Sequence, residues 1–252
     1  MNIAIVTGAS SGLGIAFVRG LLNNFKDIDK IWVIARRKER LVQLQSQLSD
    51  KLLVFALDLI NADSFKELEN MLQAERPNIK VLINNAGFGK LDYFNQTPAC
   101  LMEDMISLNC SAVTTLTSLC LKYMQKNAFI INVSSIAAFA PNTRLTAYSA
   151  TKSFILSLSL GLRQELRPHK INVLAVCPGP MSTEFLNVAN IPAGRSKTFD
   201  RLPYCNPETV ALRALKNAKK GRAVYTPRLI YKIYYVLAKF LPVSLTMKIC
   251  KA

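Results

Sequence analysis

The sequence predicts an α/β protein built on a doubly wound sheet of about seven parallel strands. Short apolar runs alternate along the chain with longer segments that have the length and periodicity of helices. Within the apolar runs, polar and apolar residues do not alternate, which is typical of strands buried on both faces of a parallel sheet. Regular alternation of strand and helix then favours right-handed crossovers and helices on both sides of one sheet.

Seven apolar runs are the predicted strands. They span residues 3–7, 31–35, 52–57, 80–84, 129–133, 171–176 and 223–226. The segment 40–48 illustrates the helices between them, because Leu41, Leu44 and Leu48 recur on one stripe. Neither an internal repeat nor a low-complexity segment interrupts this pattern, so we expect one domain over residues 1–252.

Composition indicates a globular protein and argues against several kinds of site. Hydrophobic residues make up 50% of the chain and charged residues 19%, which is unlike a disordered protein. The six cysteines are scattered without a CxxC pair and His169 is the only histidine, so we expect neither a metal site nor a histidine-based triad. Reduced thiols and a start without a signal-peptide pattern predict a cytoplasmic protein.

Positive charge is concentrated towards the C-terminus. The net charge is +16, and the chain from Arg195 to its end holds 13 Lys and Arg but only two acids. Such charge can attract nucleic acid, anionic lipid or a phosphorylated ligand, or can simply be a solvated basic surface. Because the chain shows no nucleic-acid recognition motif, we do not expect it to bind nucleic acid.

A glycine-rich turn follows the first predicted strand. The stretch "TGASSGLG", residues 7–14, leads from that strand into a helical segment. Gly8, Gly12 and Gly14 permit a tight turn and a close approach of a pyrophosphate, and the helix N-terminus supplies N–H groups and partial positive charge. In this strand–turn–helix setting the motif predicts a dinucleotide site.

The end of the second strand indicates which dinucleotide. Enzymes that use NAD usually place an acid there for the ribose 2′-hydroxyl, whereas this chain has Ala35 followed by Arg36 and Arg37. Two guanidinium groups suit a 2′-phosphate, although a basic surface turn is the plain alternative. No acid occurs between Lys30 and Lys38, so we expect NADP(H) to be preferred over NAD(H).

Six motifs in order resemble the short-chain dehydrogenase/reductase family, in its single-domain branch. They are "TGASSGLG" (7–14), "NNAG" (84–87), Asn109 in "SLNCS", "NVSS" (132–135), Tyr148 and Lys152 as YxxxK, and "PGPMST" (178–183). The resemblance covers roughly residues 2–226. It implies a Rossmann sheet of seven parallel strands and hydride transfer between nicotinamide and a carbonyl or alcohol.

The resemblance also implies a catalytic set. Tyr148 resembles the general acid/base, Lys152 its electrostatic partner and Ser135 the residue that steadies the substrate oxygen, with Ser134 the weaker candidate. Asn109 resembles the residue that holds a water in the proton relay. The chemistry is reasonable on its own terms, because a ketone reduction needs a proton donor for the developing alkoxide. Lys152 shares a helical face with Tyr148, so we expect its charge to lower the pKa of Tyr148.

The residues that match the family's cofactor contacts extend from the glycine turn to the nicotinamide side. They are Gly8, Ser10, Ser11, Gly12, Leu13, Gly14, Arg36, Arg37, Asp58, Leu59, Asn85, Ala86, Gly87, Tyr148, Lys152, Pro178, Gly179, Met181 and Thr183. Asp58 resembles the adenine contact. Many NADPH-linked members carry a basic residue where this chain has Ser11, so the 2′-phosphate assignment depends on Arg36 and Arg37.

The substrate side of the predicted site is apolar. A long excursion, residues 182–205, follows a predicted strand and is expected to act as a substrate lid. Phe88, Phe139, Phe185 and Leu186 favour a lipophilic carbonyl or alcohol, such as a steroid-like molecule or an acyl ketone. Arg144 and Arg195 could instead meet an anionic group, although we expect each of them to be exposed to solvent.

The last segment, residues 225–252, is basic and amphipathic. On a helix, Arg228, Lys232 and Lys239 share one side of an otherwise apolar stretch, as in a helix at a membrane interface. A helix packed over the pocket or against another subunit is the alternative. The family resemblance implies a homodimer or homotetramer, often through the helices of Asn109 and Tyr148. A non-catalytic nucleotide-binding or membrane-peripheral protein remains the second hypothesis for function.

Overall fold

The computed structural model describes residues 1–191, 202–242 and 245–246, and seven strands lie within them. They are β1 Asn2–Thr7, β2 Lys30–Ala35, β3 Leu52–Ala56, β4 Asn78–Asn84, β5 Met124–Val133, β6 Asn172–Val176 and β7 Val224–Tyr225. They form one sheet in the order β3-β2-β1-β4-β5-β6-β7, and every neighbouring pair is parallel. The predicted fold class is confirmed.

Helices lie on both faces of this sheet. They are α1 Gly12–Asn24, α2 Lys38–Leu48, α3 Ala62–Glu75, α4 Ala99–Ile106, α5 Ala112–Leu121, α6 Thr146–Glu165, α7 Glu184–Val188, α8 Pro207–Lys219 and α9 Leu229–Phe240. A π-helical turn, Ser107–Ser111, joins α4 to α5. In the described part of the chain, no helix is long and apolar enough to cross a bilayer.

Successive residues of β1 point to opposite faces of the sheet. Ala4 and Val6 pack in a core that includes α1 and α8, whereas Ile3 and Ile5 pack in a second core that includes α3 and α5. All four side chains are completely buried, and each larger aliphatic one stabilises the fold by roughly 1.5–3 kcal/mol. Burial on both faces explains why the apolar runs of the sequence do not alternate.

Most strand boundaries differ from the prediction by one or two residues, and β5 differs most. Strand β5 begins at Met124 rather than at residue 129, because exposed polar residues in its first half, including Asn127 with a φ of 70°, interrupt the apolar pattern. Helix α8 begins at Pro207, shortly after the predicted excursion. The reason is a cap, since the Thr209 N–H donates to Oδ1 of Asn206 at 2.9 Å. The excursion 182–205 contains α7, and its residues 192–201 lie outside the described residues.

Buried amides and hydroxyls connect the sheet to its helices at the carboxyl ends of β4 and β5. Nδ2 of Asn84 donates to Oγ1 of Thr117 at 3.0 Å and to Oδ1 of Asn132 at 2.8 Å. Nδ2 of Asn132 donates in turn to Oγ of Ser159 at 3.0 Å. This network fixes α5 and α6 against the strands that carry the "NNAG" and "NVSS" motifs, so the loops beyond those strands start from a rigid base.

Candidate active site

The carboxyl ends of the central strands open into a cavity of about 560 Å³. It lies where the chain leaves β1 and β4 in opposite directions, which is the usual position of a ligand site in an open α/β sheet. Most of the predicted site residues line it. They are Gly8, Ser10, Ser11, Gly12, Leu13, Arg36, Arg37, Asp58, Leu59, Asn85, Ala86, Gly87, Phe88, Ser135, Tyr148, Lys152, Pro178, Gly179, Met181, Thr183, Phe185 and Leu186.

Gly14 supports the glycine turn and does not line the cavity. A Cβ atom there would stand 2.1 Å from the carbonyl oxygen of Gly8, so only glycine lets helix and turn pack this closely. Gly8 and Gly12 have positive φ angles of 65° and 51°. Gly14 therefore has a packing role in the turn, and its contact with a cofactor stays a prediction.

Phe139 also lies outside the cavity wall. Its ring packs 5.5 Å from the ring of Tyr234 and 4.8 Å from that of Tyr235, both on α9. Tyr234 itself lines the cavity. The prediction of Phe139 as a substrate contact is corrected, because the residue buttresses an aromatic wall that the sequence motifs did not reveal.

Helix α1 begins at the glycine turn without a capping side chain. Ser11 occupies the cap position and forms no side-chain hydrogen bond there, and the first turn contains no acid. The N–H groups of that turn and the positive end of the helix dipole are therefore free of a competing carboxylate. Such a helix start is suited to an anionic phosphate group.

Guanidinium groups form the cavity's edge beyond β2. Nη2 of Arg37 donates to Oγ of Ser10 at 3.1 Å, and its Nη1 donates to Oε2 of Glu184 at 2.8 Å. Arg40 donates to the other carboxylate oxygen of Glu184. Arg36 lies more loosely, with its Nη1 3.9 Å from Oδ2 of Asp58.

Glu184 and Arg40 are the charged residues of this edge that sequence reasoning missed. Hydrogen bonds from Arg40 and then Arg37 hold the pKa of Glu184 below its usual range, so the carboxylate stays ionised at neutral pH. Glu184 begins α7, and its partners lie across the cavity on the segment after β2. A pairing that joins residues so distant in sequence leaves no local pattern to detect.

Tyr148 and Lys152 are buried one turn apart on α6. Nζ of Lys152 donates to the carbonyl of Val133 at 2.9 Å and lies 5.7 Å from the centroid of the Tyr148 ring. Burial lowers the pKa of Lys152 to about 8, opposed in part by the nearby Cys110 and Cys177 thiols. Lys152 therefore carries a proton at neutral pH that it holds less tightly than a surface lysine does.

Burial raises the pKa of Tyr148 to about 12, and a hydrogen bond with Ser135 opposes that shift. The expectation of a lowered Tyr148 pKa is wrong in its net direction. Removal of the phenol from water outweighs other effects, and the ammonium group is directed to the Val133 carbonyl. Tyr148 is therefore protonated at neutral pH and can act as a proton donor.

The two serines after β5 have different surroundings. Oγ of Ser134 is buried and donates to the carbonyl of Lys152 at 2.7 Å. Ser135 precedes a short 3-10 turn, and its Oγ accepts a hydrogen bond from the Ala137 N–H at 3.1 Å. The Ser135 hydroxyl can still donate to an oxygen in the cavity, so Ser135 stays the predicted residue.

Asn109 lies in the π-helical turn between α4 and α5, behind the cavity wall. Its Nδ2 donates to the Phe88 carbonyl at 2.9 Å and to Oγ1 of Thr151 at 3.0 Å, and its Oδ1 accepts from the Phe88 N–H at 3.1 Å. Oγ1 of Thr151 donates to the Tyr148 carbonyl at 2.8 Å. Asn109 thereby couples the loop after β4 to the helix of Tyr148.

The far half of the cavity is apolar and is closed by α9. Its lining includes Phe88, Leu145, Leu186, Ile191 and Ile230, and the ring of Phe185 packs 5.7 Å from that of Tyr148. Among the described lining residues, the cations are Arg36, Arg37 and Lys152. Within the same described residues, no cluster of His, Cys, Asp and Glu could hold a metal ion.

Tyr231 fastens α9 to the "PGPMST" segment. The ring occupies the space that a side chain at Gly179 would fill, because a Cβ atom there would stand 2.4 Å from it. The hydroxyl donates to the Pro203 carbonyl at 2.8 Å. For residues 225–252, the alternative of a helix packed over the pocket thus describes the inner face of α9. The sequence did not identify Ile230, Tyr231 or Tyr234 as wall residues.

Comparisons with known proteins agree with this geometry. Residues 2–192 match the family described as short chain dehydrogenase. The chain is 32% identical over 215 residues to the NADP-dependent 3-hydroxy acid dehydrogenase YdfG of Escherichia coli O6:H1, covering 83% of this chain and 86% of that protein. A structure of a short-chain dehydrogenase from Sphingobium yanoikuyae in complex with NADPH matches with a TM-score of 0.79 at 27% identity, covering 96% and 97% of the two chains.

A further solved structure extends the range of relatives. The bulky-bulky ketone specific alcohol dehydrogenase from Comamonas testosteroni matches with a TM-score of 0.77 at 28% identity, covering 95% of this chain and 91% of that one. The family match spans well over half of the chain and includes the glycine turn, Tyr148 and Lys152. The chain therefore belongs to the short-chain dehydrogenase/reductase family and is an oxidoreductase that acts on CH–OH and C=O groups.

Proposed function

We propose that this protein is an NADP(H)-dependent oxidoreductase that transfers a hydride between nicotinamide and a carbonyl or alcohol of a lipophilic substrate, steroid-like or an acyl ketone. The observation that carries the proposal is the position of Tyr148. Its protonated phenol lies between a half of the cavity suited to phosphates and a half lined by apolar side chains. A reductase needs a proton donor at that junction.

The residues present fit NADP(H). The uncapped start of α1 suits the pyrophosphate, Asp58 and Leu59 suit the adenine, and Asn85, Ala86 and Gly87 suit the adenosine ribose. Pro178, Gly179, Met181 and Thr183 form the nicotinamide side of the proposed site. When bound, the cofactor supplies the hydride. The E. coli relative, named as NADP-dependent, and the Sphingobium complex with NADPH support the same assignment.

Arg37 is the strongest candidate for the 2′-phosphate. Its guanidinium already donates to Ser10 in the glycine turn, so it is held beside the adenosine end of the cavity. Arg36 is the second candidate, with a looser contact to Asp58. The end of β2 carries Ala35 in place of an acid, which removes the partner that a ribose 2′-hydroxyl would need.

Four residues of the chain have separate roles in the proposed proton transfer. Tyr148 donates its proton to the developing alkoxide oxygen, and the Ser135 hydroxyl donates a hydrogen bond to the same oxygen. The ammonium group of Lys152, held at the Val133 carbonyl, offsets negative charge on the Tyr148 oxygen after that proton leaves. Asn109 holds the Phe88 loop against α6 and is proposed to position the water that returns a proton.

A 3-hydroxy acid is the second candidate substrate, because the E. coli relative is a 3-hydroxy acid dehydrogenase. An acid of that kind needs a cation in the substrate half. Arg144 and Arg195 were the predicted candidates. Arg195 lies outside the described residues, and the guanidinium of Arg144 packs 5.6 Å from the centroid of the Tyr93 ring. The apolar lining and the Comamonas ketone enzyme favour the lipophilic substrate.

The test is NADPH oxidation with a panel of bulky hydrophobic ketones and 3-keto acids. We expect turnover with the ketones, and a loss of about 100-fold or more in kcat for Tyr148→Phe, because the proton donor is removed. The exposed Tyr93→Phe is the matched control and should retain activity. Cofactor binding without turnover on any substrate would instead favour the second hypothesis, a non-catalytic nucleotide-binding or membrane-peripheral protein.

Assembly and location belong to the same proposal. Homodimer or homotetramer formation through the helices next to Asn109 and Tyr148 is supported by Ile106 on α4 and Phe154 on α6, large apolar side chains that are about half exposed. We propose a cytoplasmic protein that can contact a membrane peripherally through the segment 225–252, of which residues 243–244 and 247–252 lie outside the described residues.

A further inference from the structure

Helix α9 divides into an inner face and an outer face. At 100° per residue, Tyr231, Tyr234, Tyr235 and Ala238 share the side that packs on the protein. Tyr231 is completely buried against Gly179, and the other two tyrosine rings contact Phe139. Contacts of the inner face therefore hold α9 on the protein, and they occupy only about half of the helix circumference.

The outer face is apolar and exposed. It consists of Leu229, Ile233, Val236, Leu237 and Phe240, whose side chains are between 46% and 82% exposed. An ordinary surface helix presents polar residues to solvent, whereas this face of α9 presents large apolar ones. A contiguous row of large apolar side chains on a protein surface marks a place where another surface docks.

A basic row runs along one edge of this outer face. Lys232 and Lys239 fall within one narrow sector of α9, between the outer apolar face and the inner aromatic face. Arg228, the residue before the helix, extends this row, and its guanidinium also donates to the Tyr204 carbonyl. All three are exposed, and α9 contains no acid. The charge that borders the apolar face is thus of one sign.

We propose that the outer face of α9 docks on a lipid surface with anionic headgroups. Apolar side chains enter the boundary between headgroups and acyl chains, while a flanking row of cations meets lipid phosphates. A second copy of this chain fits less well. An antiparallel two-fold contact through the same face would bring two basic rows together without an acid from either helix.

The docked face adjoins the cavity. Ile230 lies at the border between the outer and inner faces of α9, is 54% exposed and lines the cavity together with Tyr234. A lipophilic molecule in the lipid surface would therefore meet the apolar half of the cavity at the edge of α9. This last step rests on the proposed lipophilic substrate, and the docking specifies the membrane contact proposed above without depending on turnover.

The test is co-sedimentation of the full-length protein with vesicles of phosphatidylcholine alone or with about one third phosphatidylglycerol. We expect binding to the anionic vesicles that is at least about tenfold stronger than to neutral ones and that weakens with added salt. The double variant Ile233→Asp/Val236→Asp should lose at least about tenfold in this binding. Val42→Asp, at an exposed apolar side chain on α2, is the matched control and should bind as the wild type does.

Three results would overturn the proposal. They are no binding to anionic vesicles, equal binding by the double variant, and a concentration-dependent dimer that the double variant abolishes, which would make a second copy the occupant. NADPH oxidation with a water-soluble ketone and the thermal melting curve should be unchanged in the double variant, because both side chains are exposed. Since vesicle binding needs no turnover, its outcome is separate from that of the proposed enzymatic activity.

Discussion

At Tyr148, burial and hydrogen bonding act on the phenol in opposite directions, and burial prevails. Ketone reduction uses the protonated phenol and the Lys152 ammonium, so we expect its kcat/KM to stay nearly level between about pH 6 and 7.5. It should fall as pH rises through the Lys152 pKa of about 8, where that ammonium is lost. Alcohol oxidation uses the tyrosinate. Its rate should rise about tenfold per pH unit below the pKa of about 12.

Ser135→Ala provides the comparison for that profile. The hydrogen bond from Ser135 lowers the pKa of Tyr148, so its loss should move the pH profile of alcohol oxidation to higher pH. This shift comes in addition to the effect of the substitution on the maximal rate. Steady-state rates of oxidation across the pH range measure both effects. An oxidation rate independent of pH in the wild type would contradict the assignment of Tyr148 as the group that ionises.

Arg37 and Glu184 make opposite contributions to cofactor choice. Arg37→Ala should raise KM for NADPH by about tenfold to a hundredfold and leave KM for NADH nearly unchanged, because a charge-assisted contact to phosphate is lost. Lys38→Ala, next to it on the chain, is the control. Unchanged discrimination between the two cofactors in Arg37→Ala would refute the assignment.

Glu184→Gln should lower KM for NADPH, whereas Arg37→Ala should raise it. The carboxylate engages Arg37 and Arg40 and places a negative charge beside the proposed 2′-phosphate position. Its neutralisation should lower KM for NADPH severalfold while KM for NADH stays constant. A rise in KM for both cofactors would show instead that the ion pairs position α7 rather than compete with the phosphate.

At the scale of elements, the attachment of α9 depends on one glycine. Gly179→Ala places a methyl group against the Tyr231 ring at 2.4 Å, so either the ring or the helix must move. Overpacking of this kind costs about 1–3 kcal/mol. We expect a lower melting temperature and a higher KM for bulky ketones, because α9 forms the cavity wall.

Gly161→Ala is the matched control for that change. Gly161 lies on an exposed position of α6 with no neighbouring atom within 4 Å of an added Cβ. The substitution should raise the free energy of unfolding by about 0.5–1 kcal/mol, because alanine favours the helix. Equal effects of the two glycine substitutions on melting would contradict the proposed contact.

Across the whole molecule, the sequence predicted what local patterns encode. The seven strands and the glycine turn depend on residues close together in the chain, and the doubly wound class followed from strand–helix alternation, whereas the order of the strands was not predicted. Glu184 with Arg40, and Tyr231 in the space above Gly179, were not predicted because each pairing joins segments distant in sequence. The pKa direction of Tyr148 was predicted wrongly, because the sequence gives the neighbouring charge but not the depth of burial.

The buried pair Tyr148 and Lys152 also makes unfolding depend on pH. The pKa of Lys152 is about 8 in the folded chain and 10.5 in the reference state, so the unfolded chain binds more protons between these values and stability rises with pH there. For Tyr148, about 12 against 10.0, the folded chain binds more protons and stability falls as pH rises from 10.

Lys152→Met isolates the lysine part of this dependence. The difference in melting temperature between wild type and variant should shift in favour of the wild type as pH rises from about 8 to 10, a window set by the two pKa values of Lys152. A difference that does not change with pH would contradict the depressed pKa of Lys152. The Lys152 ammonium, which equips the site for proton transfer, therefore lowers the stability of the fold at neutral pH, where the site works.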